Sequence, residues 1–374
     1  MRRLLVALVA VGLFSMPASA YALGWASETL TPPAEAEETR LAAVSCPNTS
    51  FCTTLGVYTY EVLESVRLDA PWHNWNGSAW SSVSALGAPD VAIEGAACTS
   101  SSFCVAVGEY EKGWTFAAHW NGTKWSQVST PNPHEQDDLN AVSCTSSSAC
   151  TAVGSGPWSE ETLAMRWNGA SWSTQTTPDP GTLSNVLEGV SCTTSTHCVA
   201  VGYKESTPGS ATTLAMTWNG TNWTTQTTPN PAGALSASAR AVSCTSSSAC
   251  VAVGVYQAAN GPLPFAMHWN GTSWSLQSVK LPAETNFGWL EGVSCTSGTF
   301  CMGVGAYERI GQGKFTMAQK WNGASWSAEK PANPGKSLNE LKAVSCTASN
   351  WCKAAGYYLN GESVISPFTE HFSG

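Results

Sequence analysis

Residues 240–254 read Arg-Ala-Val-Ser-Cys-Thr-Ser-Ser-Ser-Ala-Cys-Val-Ala-Val-Gly, and residues 265–274 read Phe-Ala-Met-His-Trp-Asn-Gly-Thr-Ser-Trp. In the first stretch two short Val- and Ala-rich runs flank a Ser-rich break, the pattern of two strands joined by a turn. In the second, Asn-Gly sits between apolar runs and signals a hairpin, because both residues accept positive φ. A two-residue turn there sets a register. In the preceding copy Trp218 would pair with Thr221 and Met216 with Trp223, so that Met216, Trp218, Thr221 and Trp223 share one face.

Both stretches recur along the chain. Cysteines fall in pairs spaced C-x5-C: Cys46 and Cys52, Cys98 and Cys104, Cys144 and Cys150, Cys192 and Cys198, Cys244 and Cys250, Cys295 and Cys301, Cys346 and Cys352. Four residues after each pair stands a Gly, from Gly56 to Gly356. Between pairs lies W-N-G-x-x-W, six times, from Trp75–Trp80 to Trp321–Trp326. The seventh copy is divided between the chain ends. His371-Phe372-Ser373-Gly374 reads like His268-Trp269-Asn270-Gly271, while Trp25 followed by Thr31-Pro32 reads like Trp223 followed by Thr228-Pro229.

Seven units of about 50 residues, each with four short strands, specify an all-β chain folded as a seven-bladed β-propeller. The N-terminal strand is expected to complete the last blade and so close the ring, which removes exposed sheet edges. The expected units are residues 39–88, 89–133, 134–180, 181–231, 232–283, 284–334, and 335–374 joined by 21–34, forming a single domain. No segment sustains a 3.6-residue apolar period, which excludes a helical solenoid.

Residues 1–20 carry the marks of an export signal: Arg2 and Arg3, an apolar run from Leu4 to Phe14, and the small-residue cleavage site Ala18-Ser19-Ala20. That run is too short to cross a bilayer, and no later segment is long and apolar enough. The expected mature chain starts at Tyr21 and is secreted and monomeric. Fourteen paired cysteines in an exported chain read as seven disulfides, each closing a short loop worth about 2.4 kcal/mol. With 17 basic against 26 acidic residues, the net charge of −9 argues against a nucleic acid or an anionic membrane as partner.

The repeat pattern resembles that of secreted actinobacterial β-propeller proteins, across essentially the whole mature chain. It is more distantly similar to kelch and Asp-box propellers, which place Gly and Trp at blade hairpins. In W-N-G-x-x-W a Trp takes the place of the Asp-box Asp, and the kelch double glycine is absent.

In a propeller the hairpins joining strands one to two and three to four share a face. Here that face is almost free of charge, with Lys124 the one charged residue in the six tryptophan hairpins. The opposite face carries loops of uneven length and most of the acids, the usual location of binding function. The thirteen repeated tryptophans either pack between blades or offer stacking surfaces to sugars. Trp114, Trp158 and Trp289 lie outside the repeat and are candidate ligand contacts.

A ring at the channel mouth is expected from the residue four before each first Cys: Ala42, Glu94, Asn140, Glu188, Arg240, Glu291 and Lys342. Its last four alternate in sign, which points to salt bridges between neighbouring blades, with a cation or polar ligand as the alternative. Tyr58, Tyr110, Tyr256, Tyr307 and Tyr358 suggest a second ring. Glu135-Gln136-Asp137-Asp138 has oxygens suited to calcium but reads as a solvated turn, and nothing calls for a metal or cofactor.

No catalytic motif is present: there is no G-x-S-x-G, H-E-x-x-H or P-loop. His119, His268 and His371 share one blade position and read as exposed strand residues. A carboxylate pair among Glu94, Glu188 and Glu291 is the one route to glycoside hydrolysis. The reading is a non-catalytic, lectin-like binding module for carbohydrate. A protein-binding or cell-envelope scaffold using the acidic loop face is the alternative.

Overall fold

A computed structural model describes residues 24–32, 36–62, 65–83, 90–110 and 113–374. The expected export signal lies outside these residues. Seven antiparallel sheets form the seven blades of a propeller, all but the last with strands in chain order from the axis outward. Blade 4 shows the plan, with Ser184–Thr194 innermost, then His197–Glu205, Thr212–Trp218 and Trp223–Gln226 at the rim.

Blade 7 is completed as the two chain ends suggest. Gly24–Thr29 pairs antiparallel with Ile365–Ser373, and Trp25 stands opposite Phe372 as Trp223 stands opposite Trp218. Blade 1 departs from the plan because its third strand is broken. Ser65–Asp69 and Trp72–Trp75 both pair with Phe51–Val62, separated at Ala70-Pro71, where proline cannot donate to the ladder.

All seven expected disulfides are present, each joining the first strand of a blade to its second. The second cysteine of every pair is buried: Cys52, Cys104, Cys150, Cys198, Cys250, Cys301 and Cys352 all lie within the core. Each sits on the second strand, where both faces are covered by neighbouring strands and blades, as for Cys198 among Ala200, Met216 and Trp218. These seven cysteines are therefore scaffold residues out of reach of any ligand, and their contribution to a site is confined to holding the strands that frame it. The hairpin the disulfides cross is tighter than a five-residue loop. Ser146 pairs with Ala149 across a two-residue turn, and Thr145 is left as a bulge between Cys144 and Ser146.

The tryptophan hairpin is looser than expected, and its register differs by two residues. Trp218 pairs with Trp223 and Met216 with Thr225, leaving a four-residue loop, 219–222. The Asn219 side chain causes this. Its Oδ1 accepts hydrogen bonds from the backbone N–H of Thr221 and of Asn222, both 2.9 Å, and Gly220 takes φ +96°. A shift of two residues keeps the faces, so Trp218 and Trp223 still meet, with ring centroids 5.8 Å apart.

Ten of the thirteen repeated tryptophans are buried, and Trp25, Trp80 and Trp269 are half-buried. Five of the six third-strand tryptophans donate to carbonyls of the cysteine hairpin, as Trp167 does to Ser147 at 3.1 Å. Three rim tryptophans, Trp80, Trp223 and Trp274, donate to the preceding blade, as Trp223 does to Gln175 Oε1 at 2.9 Å. They are packing residues. The histidines before the third-strand aromatics are not exposed either. His119 packs edge-on against Trp167 of the next blade at 4.3 Å, where burial lowers its pKa to about 4, and His371 is buried against Trp351.

Candidate functional site

Seven glycines aim the axial ring. Each innermost strand carries a bulge, and the extra residue is the ring residue: Glu188 lies unpaired between Leu187↔Gly202 and Gly189↔Val201. The bulge drives the carbonyl of Val186 onto Gly202, where a Cβ would collide with that oxygen. Gly56, Gly108, Gly154, Gly254, Gly305 and Gly356 meet the same carbonyl in their own blades. The residue after each bulge alternates between Ala and Gly, from Ala43 and Gly95 to Gly292 and Ala343. A Cβ on Gly95 would stand 2.9 Å from Ala141 Cα, so the blade 2 strand lies too close to its neighbour there to carry a methyl, whereas blades 7 and 1, which the odd count brings together as Ala343 and Ala43, both carry one.

The ring residues line an axial cavity of about 190 Å³. Arg240 holds Glu188 at 3.1 Å, Lys342 holds Glu291 at 3.2 Å, and Asn140 Nδ2 donates to Leu187 O at 3.1 Å. Burial raises the Glu188 pKa while Arg240 opposes it. Glu94 opens onto the channel, and desolvation by the blades that surround it raises its pKa to about 7, with Glu109, Asp138 and Glu188 adding to the rise and Lys342 opposing it.

The five tyrosines do not join this ring. They stand on second strands, and four of them pack on third-strand aromatics, Tyr110 on Phe116 at 5.5 Å and Tyr307 on Phe315 at 5.6 Å, while Tyr58 packs on Tyr60 of its own strand. Trp289 is half-buried under Lys314, 4.9 Å from its ring, and donates to Glu340 at 3.3 Å. Trp158 is 75% exposed and holds φ 55°, a left-handed backbone that bulky residues rarely adopt. In the acidic turn, Asp138 Oδ1 accepts from Ser155 N at 2.6 Å, and Asp137 accepts from His134 N at 3.0 Å. Among the described residues no group of three metal-binding side chains converges.

Tyr110 and Trp114 are brought together. They are cross-strand partners in blade 2 and line a cavity of about 430 Å³ with Phe116, Gln127, Thr130 and Asn132. Trp114 is 51% exposed, and Gln127 donates through Nε2 to the Tyr110 hydroxyl. The floor is fixed by Thr115, whose N–H donates to Asn132 Oδ1 at 2.8 Å and whose hydroxyl donates to Thr130 Oγ1 at 2.8 Å. Blade 4 has a cavity of about 350 Å³ at the same position, where Lys204 and Thr212 replace Tyr110 and Trp114. The floor residues escaped the sequence reading. Their signal is T-P-N-P at 130–133 and 228–231, and T-P-D-P at 177–180, which reads as mere turn chemistry.

A closed ring of four-stranded blades defines the class: a seven-bladed β-propeller. Solved structures resemble it in fold. "YCF48 bound to D1 peptide" matches at 14% identity over 96% of this chain and 100% of that one, with a TM-score of 0.58. YCF48 from Cyanidioschyzon merolae matches at 12% over 93% and 98%, with a TM-score of 0.54. The β-propeller domain of the Trilobed protease from Pyrococcus furiosus matches at 8% over 88% and 94%, with a TM-score of 0.52. At these identities the likeness is one of fold. No protein-family model and no curated protein sequence matches the chain, so kinship with actinobacterial or kelch-type repeats rests on the repeat pattern alone.

Proposed function

We propose that the chain is a secreted, non-catalytic binding module whose ligand is a saccharide seated in the blade 2 cavity. The carrying observation is Trp114, half exposed at the edge of a cavity in which Gln127 Oε1 can still accept and the Tyr110 O–H can still donate. A sugar ring presents one C–H-rich face and a rim of hydroxyls. An indole face beside amide and hydroxyl groups matches both. The size fits one or two sugar rings. Secretion is supported by the signal-like residues 1–20 and by seven disulfides, which persist in oxidising compartments.

A glycan array followed by tryptophan-fluorescence titration tests this reading. Trp114→Ala should weaken any hit at least tenfold with an unchanged unfolding transition. Binding by no glycan, from a folded sample, would overturn it. The second reading is a protein partner on the loop face, favoured by Trp158, which is held outward on a left-handed backbone. Loss of partner capture in Trp158→Ala, with Trp114→Ala unaffected, would select that reading.

A further inference from the structure

The charges of the axial ring do not balance. Two of its three carboxylates have cations on the next blade, Glu188 with Arg240 and Glu291 with Lys342. The third, Glu94, is flanked by Ala42, which offers a methyl, and Asn140, whose amide N–H is committed to Leu187 O. Among the described residues no hydrogen bond or ion pair reaches the Glu94 carboxylate. Around it stand Lys342, which attracts, and Glu109, Asp138 and Glu188, which repel. Two of those acids belong to the neighbouring blades 3 and 4, so the excess of negative charge lies on the blade 2 side of the mouth.

We propose that Glu94 anchors a monovalent organic cation, an ammonium or guanidinium group entering the axial cavity. One free carboxylate balances one charge. A divalent metal requires several oxygens, and the other two carboxylates are already engaged. The cavity of about 190 Å³ admits such a group on a short methylene stem. Arg240 and Lys342 hold the competing acids in place, so that the vacant charge position stays at blade 2.

The test is a ¹³C NMR titration of the Glu94 side-chain carboxyl in the whole protein, assigned through Glu94→Gln. Without ligand its midpoint should lie near pH 7, because the folded environment raises it from 4.5. A cation beside it favours the ionised form, so butylguanidinium at tens of millimolar should lower that midpoint by a unit or more. Glu94→Gln should remove the line-shape changes that the cation causes in neighbouring amides. An arginine-ended peptide at equal concentration separates the sources: a larger shift marks a protein-borne cation, an equal one a free small cation. No movement with either probe, or movement with calcium alone, would overturn the proposal.

Discussion

Glu370 stands two residues before Phe372, where blades 3, 4 and 5 carry the buried methionines Met165, Met216 and Met267. Burial raises its pKa to about 8, with a smaller contribution from Glu28 and opposition from the Ala332 backbone. The folded chain therefore holds a proton that the unfolded chain releases above about pH 4.5. Between those two values the folded state binds more protons, so this carboxyl makes stability fall as pH rises from 4.5 to 8. Blade 6 carries Gln319 at the same position, its amide donating to Lys280 O at 2.9 Å. Glu370→Gln should keep the shape and lose the titration. Urea unfolding should show the variant about 3 kcal/mol more stable than the parent at pH 8 and close to it at pH 5. Equal gains at both pH values would assign the effect to packing instead. The alignment of repeats places Glu370 on a core face, but the proton it keeps depends on neighbours from other strands.

The closing strand, Gly24–Thr29, carries its own lock. Glu28 occupies the rim position at which Gln175 and Gln226 accept the next blade's tryptophan, and it accepts from Trp80 at 2.8 Å. It also holds Lys353, fully buried in the second strand of blade 7, at 2.6 Å, and the ammonium sits 3.7 Å from the centre of the Trp75 ring. Burial lowers the Lys353 pKa, and Glu28 opposes that shift. Removing one partner of a buried pair is costly, whereas replacing both by apolar groups is often neutral. Glu28→Gln should therefore cost about 3–5 kcal/mol in urea unfolding. Adding Lys353→Met, which copies Met302 of blade 6, should restore most of it. A double variant as unstable as the single one would mean that the strand is held by the ladder and not by the charge pair. That Trp25 belongs opposite Phe372 was legible from the repeats. The pairing of Glu28 with Lys353, 325 residues away, was not, because no other repeat carries a charge at both positions.

Around the ring, a serine from six of the seven inner strands ties one blade to the next. Ser345 Oγ accepts from Cys46 N at 3.0 Å, Ser45 from Cys98 at 2.9 Å, Ser143 from Cys192 at 3.0 Å, and Ser191, Ser243 and Ser294 continue the series. This accounts for Ser in the recurring V-S-C. Blade 2 breaks the series: Ala97 replaces the serine, and Cys144 N gains no such bond. Ala97→Ser should supply it and stabilise the fold by about 1 kcal/mol in urea unfolding. No gain would mean that these bonds are balanced by those the same groups make to water. Charge is also uneven around the ring. Residues 90–205 hold 12 acids against 4 bases, and residues 240–374 hold 7 acids against 9 bases. The acidic sector surrounds Glu94 and the Trp158 loop, so a cationic ligand and the alternative protein partner would be drawn to the same side.

Blade number, strand order, the disulfides and ring closure could be read from the chain because each is a local pattern repeated seven times. Period-two alternation, turn residues and cysteine spacing act over a few residues, and repetition confirms them. The register of the tryptophan hairpin could not be read, since one Asn side chain capping two amides outweighs the two-residue turn that Asn-Gly alone suggests. The candidate sites lay further out of reach. Trp114 and Tyr110 share a cavity only because the second and third strands pair in one register, and the T-P-N segment folds back beneath them. Among the described residues Glu94 lacks a partner because the blades on either side present Ala42 and Asn140 to the axis. Local pattern decides which strands exist, while the meeting of side chains from separate blades decides which of their charges and faces remain available to a ligand.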